Sequence, residues 1–187
     1  KKLTDDLKLL NCSRPCTGSA SILLASEEIV KKYTNSPIWI TGIGQKTTSA
    51  GFTKNTSLSS MESTKLAGKS ALEMANHNIS EIDVAEVHDA FSVCEPMILE
   101  SLGFTKPGEG MDMIKKLNET NNFMINPRGG LIGSGHPLGA TGISQTIEIA
   151  QQLQNTAENR QTDNPKTGLV HNMSAAATSS TVLVLEK

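Results

Sequence analysis

Three short polar clusters carry the residue types that proton transfer and oxyanion binding require. The first is Glu86-Val87-His88-Asp89-Ala90-Phe91, the second Gly135-His136-Pro137, and the third His171-Asn172-Met173-Ser174. Histidine is the side chain whose ordinary pKa lies nearest neutrality, so it can give or take a proton where substrates are stable. Asn172 cannot exchange protons at useful pH, but its amide donates and accepts hydrogen bonds. Each histidine taken alone is most simply a hydrogen-bonded core residue. A metal centre has little support, since neither HExxH nor CxxC spacing occurs and Cys12 and Cys16 stand four apart.

The clusters sit where an α/β layer places chemistry. Ile82, Val84 and Val87 predict a strand, so His88 follows its carboxyl end, the edge at which such sheets bind ligands. Residues 126–142 hold six glycines in seventeen positions, more than a simple connector needs. Backbone there is expected to approach a ligand or a neighbouring chain closely. Pro137 suits a first helical position, which would put His136 at a helix start, where the dipole disfavours imidazolium. The helix is expected to continue through Ile143 and Gln154 with Ile147, Ala150 and Leu153 on its apolar side. Leu169-Val170-His171 and residues 181–185 read as strands around a run of very small side chains at 174–180.

Upstream, residues 19–25 read as a buried strand or packed segment, and Ser26 as N-cap of a helix reaching about Tyr33. Ile38 to Thr41 predicts a strand, residues 44–60 a loop, and Leu66, Ala67, Ser70, Ala71 and Met74 the apolar stripe of a helix. Val93 to Leu102 predicts another helix ended by Gly103, with Pro96 tolerated only in its first turn, and residues 105–122 a polar loop with some helical character. Strands alternating with helices and closing on a strand pair predict one α/β domain over 1–187, a mixed sheet with helices on both faces.

Composition narrows the function class. The chain has 187 residues, 37% hydrophobic and 19% charged, with net charge −2 and no basic stripe, so nucleic acid is not an expected partner. No apolar run reaches the ~18–20 residues a membrane span needs. Three cysteines do not make a disulfide framework, which points to a reducing compartment and, by default, the cytoplasm. The chain begins with lysine rather than Met, which leaves a fragment, a processed product and one piece of a longer protein as the expectations.

The combination of EVHDAF, NPRGGLIGSGHPLGATG about forty residues on, and HN before a small-residue hairpin resembles the thiolase superfamily, nearest its archaeal and sterol-carrier-type branches. The resemblance covers nearly the whole chain and implies the C-terminal half of the thiolase fold. Thiolases join two acyl-CoA molecules, or split a 3-ketoacyl-CoA, through a cysteine acyl-enzyme and two oxyanion holes. It implies that His136 activates the nucleophile and helps hold a thioester oxygen, that His88 binds or orients water at that oxyanion hole, and that Asn172, or its neighbour His171, stands in place of an acid/base cysteine. Gly135, Gly139, Ser174 and His171 would contact substrate. No cofactor beyond the coenzyme A thioesters themselves is implied. The nucleophilic cysteine would lie on an amino-terminal half in another chain or in the parent protein. The assembled enzyme would be a homodimer or tetramer, with a larger complex of the archaeal kind, containing an OB-fold zinc-binding protein and 3-hydroxy-3-methylglutaryl-CoA synthase, also in view. Departures from the pattern are Ala90 and Asn172 where cysteines are expected, and Ser174 and Ala175 where glycines are. They keep open an aldolase-like lyase acting on a CoA thioester, and a non-catalytic scaffold subunit.

Overall fold

A computed structural model describes residues 1–49, 57–117 and 124–187. Five strands form one mixed sheet: β1 (Trp39–Thr47), β2 (Val84–Glu86), β3 (Met124–Ile125), β4 (Thr167–Met173) and β5 (Ser179–Glu186). Their order is β1-β5-β4-β2-β3. The β1–β5 and β5–β4 pairs are antiparallel, while β4–β2 and β2–β3 are parallel. The parallel pairs need helical crossovers: α3 (Cys94–Leu102) and α4 (Gly110–Leu117) lie between β2 and β3, and α5 (Gly130–Ser134) and α6 (Thr141–Gln154) between β3 and β4, while α2 (Glu62–Ala75) links β1 to β2. A one-turn helix, α1 (Glu27–Val30), precedes β1. Among the described residues no helix is long and apolar enough to cross a membrane.

Strand alternation divides the core in two. Ala85 and Val87, Leu169, and Val182 and Val184 join Ala67 and Ala71 of α2 and Ile98 of α3 on one face. Val84, Val170 and Leu185 meet Ile149 and Leu153 of α6 on the other. Successive side chains of a strand point to opposite faces, so sequence parity alone assigns each residue to a helix layer. Ile98 and Leu99 are fully buried; burial of one such side chain contributes ~1.5–3 kcal/mol. Gly44 lets α2 lie directly on β1, because a Cβ there would run into the Ala67 carbonyl.

Several expectations change. Residues 19–25 are neither a strand nor packed: Ile22, Leu23 and Leu24 are 42%, 81% and 69% exposed. Ser26 precedes α1 without a side-chain cap, and α1 ends at Val30 rather than near Tyr33. The expected loop at 44–60 is strand through Thr47; its residues 50–56 lie outside the described residues. In 105–122 the helix α4 forms, and 118–122 lie outside the described residues. The buried face of α2 is Ser63, Thr64, Ala67, Gly68 and Ala71, while Leu66 and Met74 point outward. Small residues won that face because α2 approaches the sheet too closely for long ones. On α6, Gln145, Glu148 and Gln152 are buried in place of the expected Ile147 and Ala150.

Candidate active site

His88 follows β2 by two residues. Glu86 and His88 share a parity opposite to that of Ala85 and Val87, so His88 turns toward the α6 layer. Asn172 on β4 has the same orientation, because Leu169 packs toward α2 and Val170 toward α6. The two meet: the Asn172 amide Nδ2 donates to His88 Nδ1 at 3.0 Å. It also donates to Gln145 Oε1 on α6 at 3.0 Å.

His136 arrives from the glycine-rich segment. It does not start a helix; α6 begins five residues later at Thr141, whose hydroxyl lies 2.8 Å from His136 Nδ1. The His88 and His136 rings meet edge to face, centroids 4.9 Å apart and planes at 86°. Two devices hold the histidine loops in register. The nearly buried Asp89 carboxylate accepts the Leu131 N–H at 2.6 Å and the Ile132 N–H at 3.5 Å, at the start of α5. Gly130 there has φ +62°, and any Cβ would collide with that carboxylate, so only glycine lets the loops come this close. The N-terminal segment crosses both loops as well: Ser13 N–H donates to the Ala90 carbonyl at 2.8 Å, and His136 N–H to that of Arg14 at 2.9 Å.

His88, His136 and Asn172 line one cavity of about 720 Å³. Its other walls are mixed: Met61, Phe91, Cys94, Met97 and Met173 supply apolar surface, and Ser13, Thr48, Ser60 and Glu62 polar surface. Ser174 borders it near its rim and is exposed. Gly139 borders a neighbouring depression instead, beside Pro137 and Leu138. Gly135 lies against Cys16, whose sulfur occupies the space a Cβ would need. His171 is the departure from expectation: one residue before Asn172, it faces the opposite layer, is wholly buried and lies 3.0 Å from the Thr64 hydroxyl of α2. It does not line the cavity. The strand parity that delivers Asn172 removes His171.

The electrostatics suit neutral imidazoles. Burial brings His88 down to about 4, helped by the neighbouring His136, and His171 to about 3. Burial also lowers His136, with Asp89 opposing it. The neutrality expected of His136 therefore comes from desolvation. Beneath the histidines, burial raises Glu86 to about 8 against the pull of Arg128. Burial likewise pushes the Cys94 thiol up, the direction of an inert thiol. Among the described residues no cluster of three or more metal-ligating side chains occurs.

Thr141 and Gln145 escaped the sequence reading. With Glu148 and Gln152 they form a polar stripe at helical spacing, a pattern that on its own signals a solvent face.

A sequence model described as thiolase C-terminal domain-like matches residues 44–187. The chain belongs to that family. Over 99% of its length, this thiolase C-terminal domain is 31% identical to the acetyl-CoA acetyltransferase of Methanothermobacter thermautotrophicus, covering 49% of that protein. It is 34% identical over 92% of its length to sterol carrier protein 2 of Gallus gallus, covering 33% of it. The chain thus spans about half of the first relative and a third of the second. A solved structure titled Ltp2-ChsH2(DUF35) aldolase shares the fold across the whole domain, with a TM-score of 0.82, 20% identity and 49% of that chain covered.

Proposed function

We propose that the chain is the carboxyl-terminal catalytic half of an acyl-CoA C-acetyltransferase that forms or cleaves a 3-ketoacyl-CoA. The observation that carries the reading is the meeting of His88, His136 and Asn172, 48 and 36 residues apart in sequence, at one wall of a cavity with both apolar and hydroxyl-bearing lining. His136, neutral and held through Nδ1 by Thr141, is left with Nε2 to take the proton of a nucleophilic thiol and then to donate to a thioester oxygen. His88 supplies the second polar contact to that oxygen, directly or through water. Asn172 supports His88 and lines the region where the substrate's α-carbon gains or loses its proton.

The nucleophilic cysteine comes from an amino-terminal half. Two facts support that partner: the chain spans half of its archaeal relative, and Ile22, Leu23 and Leu24 stand exposed on an extended segment. One observation favours a second reading, a lyase that cleaves a CoA thioester by retro-aldol chemistry: Ala90 and Asn172 stand where the acid/base cysteine is expected, and the one thiol lining the cavity among the described residues, Cys94, is pushed up by burial.

The test pairs the chain with its amino-terminal half and replaces His136 with Ala. Acyl transfer, followed as acetyl-CoA condensation and as thiolysis, should fall at least ~10²-fold, the lower range for a general base. Undiminished transfer in the His136→Ala complex would overturn the mechanism. Carbon–carbon cleavage without dependence on free coenzyme A would select the lyase.

A further inference from the structure

Gln145 is fully buried at the second turn of α6, and no role in catalysis follows from its position alone. Its Oε1 accepts one of the two Asn172 amide protons, and His88 Nδ1 accepts the other. An amide nitrogen only donates, and a neutral imidazole has one donor and one acceptor nitrogen. Donation into Nδ1 therefore places the His88 proton on Nε2. Of the two ring nitrogens Nε2 is the one without a protein partner among the described residues, on a ring that lines the cavity. We infer that Gln145 is a positioning residue: through Asn172 it fixes His88 in the tautomer protonated on Nε2, so that the cavity receives an N–H donor rather than a base.

The structure contains what such a lock needs. Asn172 could turn its amide over and offer its oxygen to His88, which would move the proton to Nδ1 and leave Nε2 as an acceptor. With Gln145 Oε1 in place, that rotation would set two oxygens against each other in a buried setting, where an unmade hydrogen bond is costly. Gln145 Nε2 is itself buried without a partner, so the arrangement that competes with the lock is a joint rotation of both amides, which would satisfy that nitrogen and move the His88 proton to Nδ1. The depressed basicity of His88 keeps the ring neutral, so the tautomer and not the charge decides what it presents. The His136 ring, meeting His88 edge to face, restricts rotation of the imidazole plane. The division of labour is then complete: His136 exchanges protons and His88 only donates.

The catalytic consequence rests on the acyltransferase reading; the tautomer does not. The test is therefore spectroscopic. The chain has four histidines, so long-range proton–nitrogen correlation of the nitrogen-labelled protein near neutral pH resolves each ring. His88 should show an acceptor-type Nδ1 and a protonated Nε2. The opposite pattern, or an even mixture, in the unmodified chain overturns the inference without needing any variant. Gln145→Leu removes the acceptor and should turn His88 into a mixture; Gln145→Glu keeps an oxygen in place and should restore Nε2 protonation. An unchanged His88 pattern in a folded Gln145→Leu protein also overturns it. In the complex with the amino-terminal half, Gln145→Leu should lower kcat about 10-fold with KM within about 2-fold, since an oxyanion donor acts chiefly in the transition state. If no pairing shows acyl transfer while the tautomer is as stated, the acyltransferase reading falls and the positioning role of Gln145 stands.

Discussion

The cavity wall around the histidines and the segment at residues 13–25 are neighbours with opposite characters. At the wall, Asp89 meets loop amides, Asn172 and Thr141 meet imidazoles and Gln145 meets Asn172; Asp89, Gln145, Thr141 and His88 are buried, and Asn172 and His136 half-buried. The segment is hydrogen-bonded at its start, through Ser13 and Arg14, lies against the His136 loop as far as Gly18, and then leaves Ile22, Leu23 and Leu24 in the open. One region is finished within the chain. The other displays apolar side chains that the chain does not cover, as expected of a surface meant for a partner. A preformed constellation can thus sit beside a segment whose apolar side chains the described residues leave uncovered.

The contrast is sharpest in response to pH, where several buried groups at or near the wall act together. His88 and His171 have folded pKa values below the ordinary 6.5, so the unfolded chain binds more protons as pH falls from 6.5 toward 4, and stability declines. Glu86 has a folded value of about 8 against an ordinary 4.5, so stability declines as pH rises from 4.5 through 8. Urea denaturation across pH should show a stability maximum between about 4.5 and 6.5. A profile flat between pH ~6.5 and ~8 would mean that Glu86 ionises freely in the fold.

Gly130→Ala comes next. Left-handed backbone costs a non-glycine residue ~1–3 kcal/mol, and crowding of the Asp89 carboxylate adds a further ~1–3 kcal/mol. The summed loss, above ~2 kcal/mol, should appear as a lower denaturation midpoint with an unchanged slope. Asp89→Ala is milder: two amides at the start of α5 lose their acceptor, for ~1–3 kcal/mol. Its diagnostic is chemical exchange broadening of His136, because one of the two ties between the histidine loops is gone. Leu23→Ser should shift the stability of the isolated chain by no more than ~0.5 kcal/mol, as for other exposed sites. Its effect belongs to assembly: binding of the amino-terminal half should weaken while the His88 and His136 resonances stay in place. A large stability loss in Leu23→Ser would abolish the distinction between the two regions.

The α/β class, the strands at 84–86, 167–173 and 179–186, and the helix ending before Gly103 were legible in the sequence. Local apolar runs and turn residues specify such elements without outside help. The same reading misplaced residues 19–25, since an apolar run looks alike whether its own chain or another buries it. It put His136 on a helix because Pro137 suits a helical start, while the backbone waits until Thr141 to coil. It read Leu66 and Met74 as core because hydrophobicity was weighed and closeness of approach was not.

By itself the sequence determined which chemistry is available: three imidazoles and an amide on motifs that follow strands or glycine-rich turns, with Ala90 and Asn172 where cysteines are expected. Tertiary structure decided which of these groups share a site. His171 and Asn172 are adjacent in the chain, yet the pleat sends one to Thr64 and the other to His88. Gln145 carries no signal in the sequence and acquires its partner only when α6 lies on the sheet. The reason is geometric: residue type travels with the chain, whereas the face a side chain occupies, and the groups it meets there, are set only when strands pair and helices dock.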